Sequence, residues 1–124
     1  MNSHIWKFLV FVLVSGCGDG DCCTGPIMCT KEIRYGISVD VVDAASQIPK
    51  ADGSTMTIRD GNYVESTTTQ GNGLTMVGAP ERAGTYIVTV AHSGYHTWIR
   101  TDVVVTKDVC HVQTVSLRAE LEKI

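Results

Sequence analysis

The stretch that decides the fold runs from Gly84 to Tyr95 and reads G-T-Y-I-V-T-V-A-H-S-G-Y. Its apolar residues Tyr86, Val88 and Val90 occupy every second position, and smaller or hydroxylated residues fill most of the positions between them. This alternation predicts a β-strand with one buried face. Ser93-Gly94 is a turn signal that ends the strand. The stretch therefore predicts architecture rather than chemistry.

Segments with the same alternation recur on both sides of this strand, separated by turn signals such as Asp52-Gly53 and Asp60-Gly61-Asn62. No segment of useful length has a helical period. We expect strands near residues 34–42, 55–59, 63–68, 74–77, 84–92, 95–105 (one bent strand or two short ones) and 111–121. Connections this short join antiparallel neighbours. The sequence thus predicts an all-β fold, an antiparallel Greek-key β-sandwich of about seven strands.

The N-terminus has the features of an export signal. Lys7 precedes the apolar run Phe8–Val14, which is far shorter than the roughly 20 residues that span a bilayer. The following string L-V-S-G-C, Leu13 to Cys17, resembles the lipobox of bacterial lipoproteins. That resemblance implies that the chain is cut before Cys17 and that the Cys17 thiol carries a diacylglyceryl group. A plain signal peptide that contains a cysteine, or a short buried strand, is the alternative.

These features divide the chain into a leader (1–16), a short acidic tether (17–28) and one domain (29–124). We expect a protein of the bacterial cell envelope, held on the membrane by its lipid and in contact with an envelope protein or polysaccharide partner. Gly18 after Cys17 favours the outer membrane. The formal net charge is −3, and removing the leader with Lys7 makes it more negative. No basic patch is present, which argues against nucleic acid and against attraction to anionic lipid.

The chain contains five cysteines. The predicted export would place them in an oxidising compartment, where disulfides persist. If Cys17 carries lipid, four remain, and four cysteines allow three pairings. Cys29 precedes the first predicted strand and Cys110 precedes the last, so we expect a Cys29–Cys110 disulfide that ties the two ends of the domain. The adjacent pair Cys22 and Cys23 stays open. The cysteines lack a repeated C-x2-C spacing, which disfavours a zinc site.

The stretch from Gly84 to Tyr95 also resembles the GxYxVxVxxxGY signature of the carboxypeptidase regulatory-like domains, which have a transthyretin-like sandwich. Ser38–Asp43 is similar to the first strand of those domains, and Asp108–Leu117 is similar to their last strand. The likeness covers Ile33 to Leu121. It implies a structural or interaction module, and it offers no catalytic residue and no cofactor.

The turn that follows this strand is the place where we expect a ligand to bind. The candidate ligand-facing residues are His92, Tyr95, His96 and Trp98. The alternative is a solvated loop end at which Tyr95 or Trp98 fills the end of the sandwich. An alternative function is the binding of carbohydrate or peptidoglycan by an exposed aromatic platform, which would consist of Tyr63, Tyr95 and Trp98. A less favoured alternative is a metal-dependent enzyme that uses His92, His96 and His111.

Other chemistry finds little support in the sequence. Four loop acids offer oxygen ligands for calcium but lack EF-hand spacing: Asp40, Asp43, Asp52 and Asp60. Hydroxyisourate hydrolases, which resemble transthyretin, end in Y-R-G-S, whereas this chain ends in A-E-L-E-K-I. No serine-nucleophile motif, P-loop or dinucleotide fingerprint is present. The sequence therefore favours a protein that is not an enzyme and binds no cofactor.

Overall fold

The structure is a computed structural model that describes residues 28–68 and 73–124. The predicted leader and the tether up to residue 27, with Cys17, Cys22 and Cys23, lie outside the described residues. The described part contains seven strands: β1 (Tyr35–Asp43), β2 (Ser54–Asp60), β3 (Tyr63–Thr68), β4 (Thr75–Pro80), β5 (Gly84–His92), β6 (Trp98–Val105) and β7 (Val115–Leu121). No helix among these residues has the length and apolar character needed to cross a membrane.

The strands form two sheets that pack face to face. One sheet has the order β4-β1-β7 and the other the order β3-β2-β5-β6. The prediction of an all-β sandwich of about seven strands is confirmed. The predicted organising strand is β5, which lies inside the four-stranded sheet between β2 and β6.

The core lies between the two sheets and follows the predicted alternation. Tyr86, Val88 and Val90 of β5 are fully buried, whereas Ile87 on the opposite face is 43% exposed. On β2, Met56 and Ile58 are buried and face the same core. Burial of such side chains contributes about 1.5–3 kcal/mol each, which makes this layer the main source of stability.

One pairing differs from the prediction. All described pairs are antiparallel except β1 and β7, which run parallel, with Ile37 opposite Val115 and Val41 opposite Ala119. The reason is that residues 106–114 carry the chain from the four-stranded sheet across to the other sheet. Strand β7 therefore enters at the same end as β1, and the expectation of antiparallel pairs alone was wrong.

Three predicted strand boundaries were also wrong. The fourth strand, expected to end at Val77, runs to Pro80 because Gly78 and Pro80 pair with Ile37 and Tyr35 of β1. The last strand begins at Val115 rather than at His111, because the Asp108 carboxylate accepts the backbone N–H groups of Cys110 and His111 and holds them in a turn. Strand β6 begins at Trp98 rather than at Tyr95 and is continuous to Val105. A register shift between Tyr86 and Val88 interrupts its pairing with β5.

The sandwich has two ends that differ in character. The Cys29 end contains the start of β1, the end of β4 and the start of β5, since Tyr35 pairs with Pro80 and Gly84 with Val105. The His92 end contains the start of β2 and the end of β5, since Ser54 pairs with His92. These two names are used below.

Candidate functional site

The predicted ligand-facing turn lies at the His92 end and is fixed to the opposite sheet. The Tyr95 hydroxyl donates a 2.6 Å hydrogen bond to Asp43 Oδ2 at the end of β1. Asp43 is 3% exposed, and its other oxygen accepts the backbone N–H groups of Ala45 and Ser46, each at 2.8 Å. The Tyr95 hydrogen bond, followed by that from Ser46, lowers the pKa of Asp43 well below its usual range. The ionised carboxylate of Asp43 therefore links the two sheets through its hydrogen bond with Tyr95.

The C-terminal residues hold the same turn from its other side. The His96 backbone N–H donates to the Glu122 carbonyl at 2.8 Å, and the Ile124 N–H donates to the Gly94 carbonyl at 3.1 Å. Tyr95 and Lys123 also form an antiparallel bridge. A turn held at three points by hydrogen bonds has little freedom to rearrange around a ligand.

His92 is oriented by contacts within this turn. Its Nδ1 lies 2.8 Å from the Ser93 carbonyl oxygen, which only accepts, so Nδ1 carries the proton. The ring meets Tyr95 edge to face with centroids 5.1 Å apart. Its Nε2 would lie 3.0 Å from a Cβ at Gly53, where φ is +86°, so glycine is required there for both space and backbone conformation.

The structure does not gather the three histidines of the metal hypothesis. His92 and His96 belong to the turn at the His92 end, whereas His111 lies in the turn beside Cys110 at the Cys29 end. Among residues 28–68 and 73–124, no group of three or more His, Cys, Asp or Glu side chains is placed to hold a metal ion. Asp60 and Asp43 likewise lie at opposite ends, so the four loop acids do not share one site.

The three aromatic residues of the carbohydrate hypothesis also lie apart. Trp98 is half-buried, packs against the core and has the Arg100 guanidinium 5.3 Å from its ring centroid. Tyr63 pairs with Asp60 at the Cys29 end, far along the sheet from Tyr95. The aromatic side chains therefore do not form one platform.

Tyr63 belongs instead to a network that joins β2, β3, β4 and β5 at the Cys29 end. Its hydroxyl donates to Glu65 Oε1 at 2.6 Å, and that hydrogen bond, followed by burial, raises the pKa of Tyr63 to about 12. The Arg82 guanidinium lies 3.9 Å from the Tyr63 ring centroid and donates to Asp60 and to the buried Tyr86 hydroxyl, each at 3.0 Å. These contacts fix the end of the sheet.

The most organised polar cluster of the Cys29 end was not predicted from the sequence. Thr30 Oγ1 lies 2.9 Å from His111 Nε2, and His111 Nδ1 lies 2.5 Å from Glu81 Oε2. A carboxylate only accepts, so His111 Nδ1 carries the proton of that hydrogen bond, and Nε2 is left within hydrogen-bond distance of the Thr30 hydroxyl. Hydroxyl, imidazole and carboxylate in this order is the arrangement by which hydrolases activate a nucleophile.

Glu81 is called the Glu81 clamp below, because its hydrogen bonds hold separate segments of the chain together. Its carboxylate also accepts the backbone N–H groups of Arg34 at 3.0 Å and Val112 at 3.2 Å. The Arg34 hydrogen bond is the largest cause of a lowered pKa at Glu81. Glu81 has φ of +51°, a costly backbone conformation that surrounding hydrogen bonds must maintain. One carboxylate thus joins the N-terminal segment, the β4–β5 connection and the β6–β7 connection.

The predicted disulfide is present beside this clamp. Cys29 and Cys110 are bonded, with Cα atoms 5.3 Å apart and a sequence separation of 81. Thr30 follows Cys29 and His111 follows Cys110, so the disulfide and the hydrogen bond between Thr30 and His111 reinforce each other. Sequence reasoning missed the cluster because its three members lie far apart in the chain and carry no motif.

Comparison with known proteins adds no relative to this description. No protein-family model matches the chain, and a search of curated proteins found no significant match.

Proposed function

We propose that this chain is a lipid-anchored protein of the bacterial cell envelope whose β-sandwich serves, without catalysis, as a structural or interaction module. The observation that carries the proposal is that the chain enters the domain at one end of the sandwich and the candidate ligand-facing turn lies at the other. Met28, which connects the domain to the preceding chain and Cys17, lies at the Cys29 end beside the disulfide. The turn from His92 to Trp98 lies at the opposite end, away from the anchor.

Four further features support the proposal. The L-V-S-G-C string provides the acceptor for lipid, and the Cys29–Cys110 disulfide suits an exported protein. The resemblance to the carboxypeptidase regulatory-like domains supports a non-catalytic module. The polar clusters at both ends use their hydrogen bonds to join strands, as Asp43 and Glu81 do.

The anchor is tested by replacing the acceptor cysteine in the full-length protein. Cys17→Ala should leave uncut, unlipidated precursor, as should treatment of the wild type with the signal-peptidase inhibitor globomycin. Cys23→Ala is the matched control and should mature normally. Normal processing and membrane association of Cys17→Ala would remove the proposal.

The interaction role is tested by photo-crosslinking in intact cells. A photoreactive residue in place of His96, which is exposed at the His92 end, should capture an envelope protein or polysaccharide. The same residue in place of Ser66, exposed on an edge strand between the two ends, is the control. Equal capture from both positions, or none from His96, would speak against the His92 end as the binding surface. Polysaccharide binding would rest on Tyr95 and Trp98, because Tyr63 lies elsewhere.

A further inference from the structure

Three of the four most exposed large apolar side chains of the described residues lie at the Cys29 end, and the fourth, Ile124, lies at the His92 end. Four large apolar residues of the described chain are more than three-fifths exposed: Met28 (87%), Ile124 (83%), Val109 (71%) and Ile33 (65%). Three of these four belong to the two segments that the Cys29–Cys110 disulfide joins. Met28 precedes Cys29 and Val109 precedes Cys110, so the disulfide brings their backbones close together.

Val109 occupies an unusual place for an apolar residue. It lies in the turn from Asp108 to His111, in which the Asp108 N–H donates to the His111 carbonyl at 2.9 Å. The Asp108 carboxylate accepts the N–H groups of Cys110 and His111, each at 2.8 Å. Glycine, asparagine, aspartate or serine is usual at such a corner, and hydrogen bonds fix the direction in which this valine projects.

The chain outside the structure indicates what covers this surface. Cys17 lies eleven positions before Met28, and an extended chain spans at most about 3.6 Å per residue, so Met28 stays within about 40 Å of an acylated Cys17. The chain from Cys17 enters the domain at Met28, so the Cys29 end is the end that an acylated Cys17 would tether most directly. The bilayer is the apolar phase nearest to Met28, Ile33 and Val109.

We propose that Met28, Ile33 and Val109 form a membrane-contacting tip that inserts into the bilayer surface and holds the domain upright, with its His92 end outward. This inference rests on the lipid anchor of the proposed function. Charged residues around the tip balance in sign: Lys31, Arg34 and Lys107 against Glu32, Glu81 and Asp108. The contact is therefore apolar rather than electrostatic, and it is insensitive to salt.

The test uses the mature lipidated protein in vesicles whose lipids carry brominated acyl chains, which quench tryptophan at short range. Val109→Trp and Met28→Trp place a probe at the tip, and Ile48→Trp, whose site is 56% exposed near the end of β1, places one at the His92 end. The parent protein, with Trp98 alone after loss of the leader, gives the background.

After subtraction of that background, the fluorescence of the tip probes should fall by about half and shift to shorter wavelength, because inserted side chains reach about 5–10 Å into the interface. The Ile48→Trp probe should remain unquenched, and added salt should change neither result. If the protein floats with the vesicles but the tip probes are quenched no more than Ile48→Trp, the membrane-contacting tip is contradicted and the lipid anchor is not. Protein that does not float would overturn both.

Discussion

Two carboxylates, one at each end of the sandwich, fix the connections between the sheets. Asp43 accepts hydrogen bonds from the Tyr95 hydroxyl and two backbone N–H groups, and Glu81 accepts from His111 and two backbone N–H groups. Hydrogen bonds of this kind are stronger than neutral ones because the acceptor is charged. The ionised form of each carboxylate is the form that the fold needs.

Asp43 should make the stability of the protein depend on pH. Its pKa is lower in the folded protein than the ordinary 3.8, so its contribution is present above about pH 4 and is lost as pH falls toward the folded value. We expect Asp43→Asn to lower the melting temperature at pH 7 and to lose less stability than the wild type between pH 5 and pH 2. Tyr95→Phe removes the hydrogen bond that contributes most to the lowered pKa of Asp43, so it should show part of the same change in stability with pH. Thermal unfolding followed by circular dichroism across this pH range measures both, and parallel curves for wild type and Asp43→Asn would contradict the assignment.

Replacing Glu81 tests whether its carboxylate holds these segments of the chain together. Glu81→Gln keeps the shape of the side chain, but its NH₂ group cannot accept the hydrogen bonds that one carboxylate oxygen accepts. We expect a melting temperature lower by several degrees and faster amide exchange at Arg34 and Val112. The control is Glu120→Gln, which affects only the exposed contact with Arg118 at 3.4 Å. Equal melting temperatures for the two variants would show that Glu81 does not act as a clamp.

At the level of elements, the disulfide and the parallel pairing of β1 with β7 have one explanation. Cys29 and Cys110 each precede one of these strands, so a bond between them makes both strands start at the same end. Neighbouring strands that start together run parallel. The expected disulfide is consistent with strands that start at the same end, but it does not by itself make β1 and β7 neighbours in one sheet.

The disulfide should supply a large part of the stability. In the chain-entropy model, a bond that closes a loop of about 80 residues contributes about 4 kcal/mol. We expect the double variant Cys29→Ser/Cys110→Ser to lose up to about that amount in denaturant-induced unfolding. Cys22→Ser/Cys23→Ser is the matched control and should unfold like the wild type. A loss of the same size in the control would contradict the Cys29–Cys110 pairing.

The contact between β4 and β2 is tight enough to require glycine. A Cβ placed on Gly78 would lie 2.3 Å from Ile58 Cδ1 and 3.2 Å from Glu65 Oε2. We expect Gly78→Ala to cost about 1–3 kcal/mol by overpacking. Ile58→Val removes Cδ1, so the double variant should be more stable than the sum of the two single changes predicts. Additive free energies of unfolding would contradict this packing.

Regular elements could be predicted from the sequence, and their ends could not. The alternation of Tyr86, Val88 and Val90 predicted β5 because burial on one face decides that pattern. The last strand was expected to begin at His111, yet residues 111–114 lie outside β7 because the Asp108 carboxylate turns the chain there. This hydrogen bonding decides the boundary, and the spacing of apolar residues does not show it.

The same limit holds for the candidate sites: contacts between residues close in sequence could be predicted, and most contacts between distant residues could not. The turn from His92 to Trp98 could be located because it is local in sequence, but its attachment to Asp43 could not. The cluster of Thr30, Glu81 and His111 joins residues that only the fold brings together. The Cys29–Cys110 disulfide is a long-range contact that could be predicted, because a cysteine can form a disulfide only with another cysteine and the chain has five.

At the scale of the whole molecule, the two ends of the sandwich differ in the groups that they carry. The Cys29 end carries the disulfide, the Glu81 clamp and the exposed residues Met28 and Val109. The His92 end carries a turn that is held by the C-terminal residues and that includes the exposed His96. This arrangement makes sense if lipid on Cys17 sets the position of the domain.

The intact mass of the protein extracted from the membranes of expressing bacterial cells tests that claim most directly. We predict the mass of the expressed sequence from Cys17 onward, with the disulfide formed and with a diacylglyceryl group added, alone or with a further acyl chain on the new amine. A mass that corresponds to an unmodified chain, whether it begins at Met1 or at any later residue, would contradict the account.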